Sequence, residues 1–83
     1  MEAEMANIKD VVRTLSGSNR IGSFEYPWMV QTVLTADGMY YAIVELSNRV
    51  TSTKEVEKEE DAKNMGCQIL ASWFDEVKKK VGV

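Results

Sequence analysis

The apolar and polar positions of the chain divide it into stretches of different period. Ile8, Val11, Val12 and Leu15 recur at i, i+3, i+4 and i+7, the spacing of one buried stripe. That spacing predicts a short helix over residues 4–16, with Asn7 as its N-cap. The following "SGSNRIGS" gathers Ser, Gly and Asn without an apolar period. It reads as a loop that carries Arg20 and ends near Gly22.

The period then changes. In "FEYPWMVQTVLTADGMYYAIVELSNRVTS" β-branched and aromatic residues are dense, and "ADG" separates two extended runs of similar length; this predicts a hairpin. Asp37-Gly38 suits its turn, because Gly accepts positive φ without a Cβ clash and Asp does so better than most residues. Alternation puts Trp28, Val30, Thr32 and Leu34 on one face of the first strand and Tyr40, Ala42, Val44 and Leu46 on one face of the second. These are the candidate core. The opposite faces carry Met29, Val33, Tyr41 and Ile43 among Gln31 and Glu45, less polar than a solvated surface usually is. Four apolar residues at alternating positions on adjacent strands form a candidate interaction patch, since contiguous exposed apolar area tends to be covered. Asn48-Arg49 turns the chain into a short third strand over roughly residues 50–54, at the sheet edge.

The last pattern is helical. Ala62, Met65, Gly66, Ile69, Leu70, Trp73 and Val77 recur at steps of three and four, predicting a long helix over about residues 55–80. Glu55, Glu57, Glu59, Glu60 and Asp61 suit its N-terminal end, and Lys78, Lys79 and Lys80 its C-terminal end, where the helix dipole favours cations. With Cys67, Ala71 and Phe74 included, the apolar arc is broader than packing on one sheet requires. Part of it is therefore available to a partner, with Phe74 the candidate at the interface.

Composition narrows the class. At 83 residues, 45% apolar and 28% charged with a single Pro, the chain is one small folded domain, residues 1–83, not a disordered tail. Ten Lys and Arg against thirteen Asp and Glu give a net charge of −3, which mildly repels a phosphate backbone, so any nucleic-acid contact must come from a local patch. A lone cysteine, Cys67, excludes an intramolecular disulfide, and with no His it leaves no thiolate or imidazole zinc site. Cys67 itself reads as a small buried hydrophobe. The opening "MEAEMANIKD" lacks the basic flank and apolar run of a signal peptide, and no segment is apolar for long enough to span a bilayer. The expectation is an intracellular soluble protein of cytoplasm or nucleus, without cofactor, metal or small-molecule substrate. Without His, and with its carboxylates on a solvated helix face, the chain is not expected to be an enzyme.

The helix–three strands–helix order, expected to place both helices on one face of a three-stranded antiparallel sheet, resembles the double-stranded-RNA-binding domain. That is an α+β, α-β-β-β-α fold, found in Dicer-type nucleases and their partner proteins. The most specific stretch is "DAKNMGCQILASWF". It is similar to the family's closing helix, where Lys-Lys-x-Ala-Lys opens a run of small residues: Ala62 and Lys63 match the Ala-Lys, and Gly66 and Cys67 match the small residues. Glu59 and Glu60 stand where the family has its phosphate-binding lysines, and a carboxylate repels a phosphate. The first interstrand loop is "TADGM", without the family's Gly-Pro-x-His.

The resemblance implies a module of double-stranded RNA processing or its regulation. The lost lysines turn that expectation toward protein association, as a homodimer or with another such domain. The candidate protein interface comprises Met29, Val33, Tyr41, Ile43, Val50, Thr51, Thr53 and Phe74, with the edge around Val50 to Thr53 offering free backbone groups. The alternative is direct binding of duplex RNA, with Arg13, Arg20, Lys54, Lys58 and Lys63 as the candidate contacts. A second alternative is an unrelated small regulatory or virus-encoded inhibitor domain.

Overall fold

A computed structural model describes residues 8–82 of the chain. Four strands come first: β1 (Ile8–Ile21), β2 (Phe24–Thr35), β3 (Tyr40–Leu46) and β4 (Arg49–Ser52). They form one antiparallel meander in the order β1-β2-β3-β4. A single helix, α1 (Glu59–Val81), follows.

This corrects the expected α-β-β-β-α order with its three-stranded sheet and two helices. The strands expected around residues 28–34, 40–46 and 50–54 are β2, β3 and β4, but residues 8–16 are part of β1 and not of a helix. The proposed cap Asn7 lies outside the described residues. The reason for the difference is in the register. Between Ile8 and Arg13, six residues of β1 oppose only Thr35 to Thr32 of β2, with shifts at Ile8/Asp10 and at Val11/Arg13. Each shift inserts a residue, Lys9 and then Val12, and breaks the alternation of a regular strand. What remains of the apolar pattern imitates a helical stripe. Beyond the second shift the register is regular to Ile21↔Phe24, so "SGSNR" is strand and not loop. Its Ser, Gly, Asn and Arg residues are exposed, as befits an edge that must not recruit neighbours.

The connections are short. Gly22-Ser23 joins β1 to β2 with Gly22 at φ 64, and Ser47-Asn48 joins β3 to β4 with Ser47 at φ 56. Between β2 and β3, Gly38 donates its N–H to the Thr35 carbonyl (3.0 Å) and Thr35 donates its own to Met39 (2.8 Å). Gly38 occupies the left-handed region there, at φ 84.

The core lies between α1 and one sheet face. Paired positions share a face, so Val30↔Val44, Thr32↔Ala42 and Trp28↔Leu46 give one contiguous set. Of the core expected from the alternation, Val30, Thr32, Ala42, Val44 and Leu46 are buried, while Trp28, Leu34 and Tyr40 are half-buried. Ala62, Gly66, Leu70, Trp73 and Phe74 are the buried positions of α1. The helix lies mainly over β3, less over β2, and barely reaches β1. No side chain caps its N-terminus at Lys58, but Glu59, Glu60 and Asp61 fill its first turn and Lys78, Lys79 and Lys80 its last. At the other end Gly82, at φ 86, donates its N–H to the Lys78 carbonyl. Among the described residues no helix is long and apolar enough to cross a membrane.

Candidate functional site

β4 is an edge strand. Its neighbour on one side is β3, and among the described residues it has none on the other. The pairs Leu46↔Arg49, Val44↔Thr51 and Ala42 with Thr53 alternate with Glu45↔Val50 and Ile43↔Ser52. Thr53 fixes the phase, because its N–H donates to the Ala42 carbonyl at 2.9 Å. Arg49, Thr51 and Thr53 therefore turn their backbone groups toward β3, and Val50 and Ser52 turn theirs outward.

The exit from the strand is also defined. The Thr53 hydroxyl accepts the Ala42 N–H at 2.9 Å and donates to the Lys54 carbonyl at 3.0 Å. The chain rejoins β3 at Val56, which exchanges backbone hydrogen bonds with Tyr40 (2.7 and 2.8 Å). Two residues, Lys54 and Glu55, are thus bulged out between these contacts. The outward-facing edge is limited to Val50–Ser52.

Beside this edge runs a groove lined by Thr53, Lys54, Met65, Gln68, Ile69 and Ser72. It exists because α1 is centred over β3 and stops short of β4. The flank of the helix is left as one wall, with Met65 and Ile69 half-buried as its apolar part. The broad apolar arc read from the sequence is therefore shared between the core, this groove and the opposite flank. At the far end of β4, Arg49 donates to a Glu76 carboxylate oxygen at 2.9 Å and lies 4.3 Å from the centroid of a Trp73 ring. The Arg49 hydrogen bond, then its charge, hold the Glu76 carboxyl below the usual glutamate value, with Lys80 and Lys79 adding to the effect.

The structure distributes the candidate interface residues unevenly. Val50, Thr51 and Thr53 are together at this edge, and Val50 is 60% exposed. Met29 and Ile43 lie half-buried on the sheet face opposite the helix, close to Val50 through Glu45 and Ser52. Val33 and Tyr41 pair with each other on that face but are buried, so Met29, Val33, Tyr41 and Ile43 are not one exposed patch. Phe74 is also buried; it joins the core cluster of Ile21, Leu70 and Trp73 and does not border β4. Its flank of α1 faces Ser18 to Ile21 of β1. Cys67 is half-buried and free.

Three of the five candidate RNA contacts are paired with carboxylates. Arg13 pairs with Glu59 at 3.2 Å, Arg20 with Glu25 at 3.1 Å and Lys63 with Glu60 at 3.1 Å. Lys54 and Lys58 are exposed between Glu55, Glu57 and Glu59. Among the described residues no three His, Cys, Asp or Glu side chains are grouped so as to hold a metal ion.

Met65, Gln68, Ile69 and Ser72 as a groove wall, and Arg49 as the partner of Glu76, were not singled out from the sequence. The excess width of the apolar arc was the available signal for the groove. Arg49 and Glu76 lie 27 positions apart and gave none. No family model, curated protein or solved structure matches the chain.

Proposed function

We propose that this chain is a non-catalytic binding module that associates with another protein by taking a strand of that partner onto the outer edge of β4. The observation that carries this reading is the outward orientation of the backbone N–H and C=O groups of Val50 and Ser52, next to the groove of Met65 and Ile69. Backbone pairing of this kind supplies affinity, and neighbouring pockets supply selectivity. Backbone groups with no fixed partner otherwise rely on water, so a strand that satisfies them while covering Val50 and the groove adds apolar burial to its hydrogen bonds.

Ion pairing argues against duplex RNA as the primary ligand. Arg13, Arg20 and Lys63 already face carboxylates, and releasing counterions from RNA requires cations that are free to approach phosphate. Contact through these three would first have to break a pair, which leaves Lys54 and Lys58, set among Glu55, Glu57 and Glu59.

The reading is tested with Ser52→Pro. Proline there removes one outward N–H and no bond to β3, and edge positions whose N–H faces solvent tolerate it. A partner captured by the wild-type chain and reconstituted from purified components is expected to lose binding to Ser52→Pro. Equal binding to both chains contradicts the reading.

A further inference from the structure

We infer that the segment taken up by β4 is an extended stretch of a different protein carrying apolar side chains on the side that faces α1, and not a second copy of this chain. The inference rests on the edge-pairing reading above and adds to it what the groove selects. On the outer edge, residues directly opposite Thr51 and Thr53 share the face of those threonines, which is the helix side. The groove bordered by Thr53, Lys54, Met65, Gln68, Ile69 and Ser72 lies on that side. A partner strand hydrogen-bonded to Val50 and Ser52 therefore directs alternate side chains toward Met65 and Ile69, and its other side chains toward the open sheet face beside Val50.

A second copy does not supply that apolar side: on the helix side its β1 edge carries Arg13, Gly17 and Asn19, with Leu15 and Ile21 already packed into its own core, and its β4 edge offers none. Two β4 edges pairing antiparallel about a two-fold axis must keep Val50 and Ser52 in step with outward groups of the other copy. In the registers that do so, the residue brought opposite Thr53 is Ser47, Arg49 or Thr51. None is apolar, and Arg49 would meet Lys54, a like charge at the lip of the groove. The helices would not fill it either. Strands lie about 4.8 Å apart, so two helices centred over β3 of each copy would be separated by three spacings, about 14 Å. Packed helices need roughly 8–10 Å. β4, with four residues, is only about 13 Å long. So short an edge does not by itself approach the ~800 Å² per partner of a stable protein interface. It does suit a short extended segment.

Capped seven-residue peptides of alternating threonine and leucine, and of alternating threonine and serine, test this by NMR titration of the isotopically labelled domain. Alternation makes the outcome independent of strand direction and presents the variable residue to the groove in one of two registers. The leucine peptide is expected to shift the amides of Val50 and Ser52 and to bind about tenfold tighter than the serine peptide, the effect of burying one apolar side chain. Met65→Glu is expected to erase that preference while leaving weak serine-peptide binding unchanged; its own amide spectrum reads whether the fold persists. Equal binding of both peptides, with shifts at Val50 and Ser52, overturns the groove inference and leaves edge pairing standing. Self-association of the free domain at micromolar concentration, lost in Ser52→Pro, overturns it in favour of a second copy. If no peptide moves either amide up to millimolar concentration, both the inference and the edge reading fall.

Discussion

Gly66 of α1 stands directly on Ala42 of β3: a Cβ built on the glycine would lie 2.9 Å from the Ala42 Cβ and 3.0 Å from Cγ1 of Val30. The glycine therefore serves close approach of the helix backbone to β3 and β2. An Ala side chain normally favours a helix over Gly by about 1 kcal/mol, but Ala42 is anchored to strand backbone and cannot yield. Gly66→Ala is expected to destabilise the fold by about 1–2 kcal/mol net, because a 2.9 Å approach to the Ala42 Cβ belongs in the upper part, about 2–3, of the 1–3 kcal/mol that overpacking typically costs. In thermal denaturation this is a fall in Tm of roughly 4–8 °C or more. An unchanged or raised Tm would show that helix and sheet can separate without loss.

Thr53 supplies a second, more local requirement. Its hydroxyl is the acceptor for the N–H of Ala42, a residue with no exposed surface. Thr53→Val keeps the shape and β-branching but strands that donor, at a cost of about 1–3 kcal/mol. Thr53→Ser keeps the hydroxyl and should lose far less. Urea unfolding of the two variants checks this, with equal midpoints contradicting the assigned bond.

The alternation of β4 makes proline a diagnostic probe. Thr51 faces its backbone toward Val44, whereas Ser52 faces outward. Thr51→Pro removes a bond within the sheet and leaves the buried Val44 carbonyl without its donor, at an expected cost of about 1–3 kcal/mol, while Ser52→Pro is expected to change stability by no more than about 0.5 kcal/mol. Equal losses would mean that the phase of the strand is wrong.

Arg49 and Glu76 give the fold a pH dependence of defined sign. The folded-state carboxyl is held below its ordinary value of 4.5, chiefly by the Arg49 hydrogen bond. A depressed folded value means that the stabilising contribution is present above 4.5 and is lost as pH falls through the folded value. The pair is at the surface, so the effect on stability is small. The direct readout is an NMR titration of the Glu76 side chain. In Arg49→Ala its midpoint is expected to rise toward 4.5, and an unmoved midpoint would contradict the pairing.

The sequence made β2, β3, β4 and α1 legible because each keeps a single period across its length. Val30, Thr32, Ala42, Val44 and Leu46 alternate without interruption, and Ala62, Gly66, Leu70 and Trp73 hold helical spacing. β1 was not legible, since the extra residues at Lys9 and Val12 displaced the alternation and left Ile8, Val11, Val12 and Leu15 in helical register. Its Val11, Val12 and Thr14 are nonetheless β-branched, a composition better suited to a strand. The edge position of Val50, Thr51 and Thr53 was visible from the short third run of extended residues, but not that Thr51 and Thr53 are half-buried with their backbone groups turned toward β3. Burial of Val33 and Tyr41 was not, because alternation assigns a residue to a face and does not say whether that face is covered. The groove depends on where α1 crosses the sheet, which is a matter of contacts between elements remote in sequence, such as Gly66 on Ala42.

Amide hydrogen exchange at Val50 and Ser52, compared between the free domain and its complex with a purified partner, reads strand addition at β4 directly. In the free domain both amides should exchange rapidly while Thr51 and Thr53 between and beside them are protected. On binding, Val50 and Ser52 should slow to the rates of their neighbours. Unchanged exchange at these two positions, with new protection confined to the open sheet face around Met29 and Ile43, would contradict strand addition at β4.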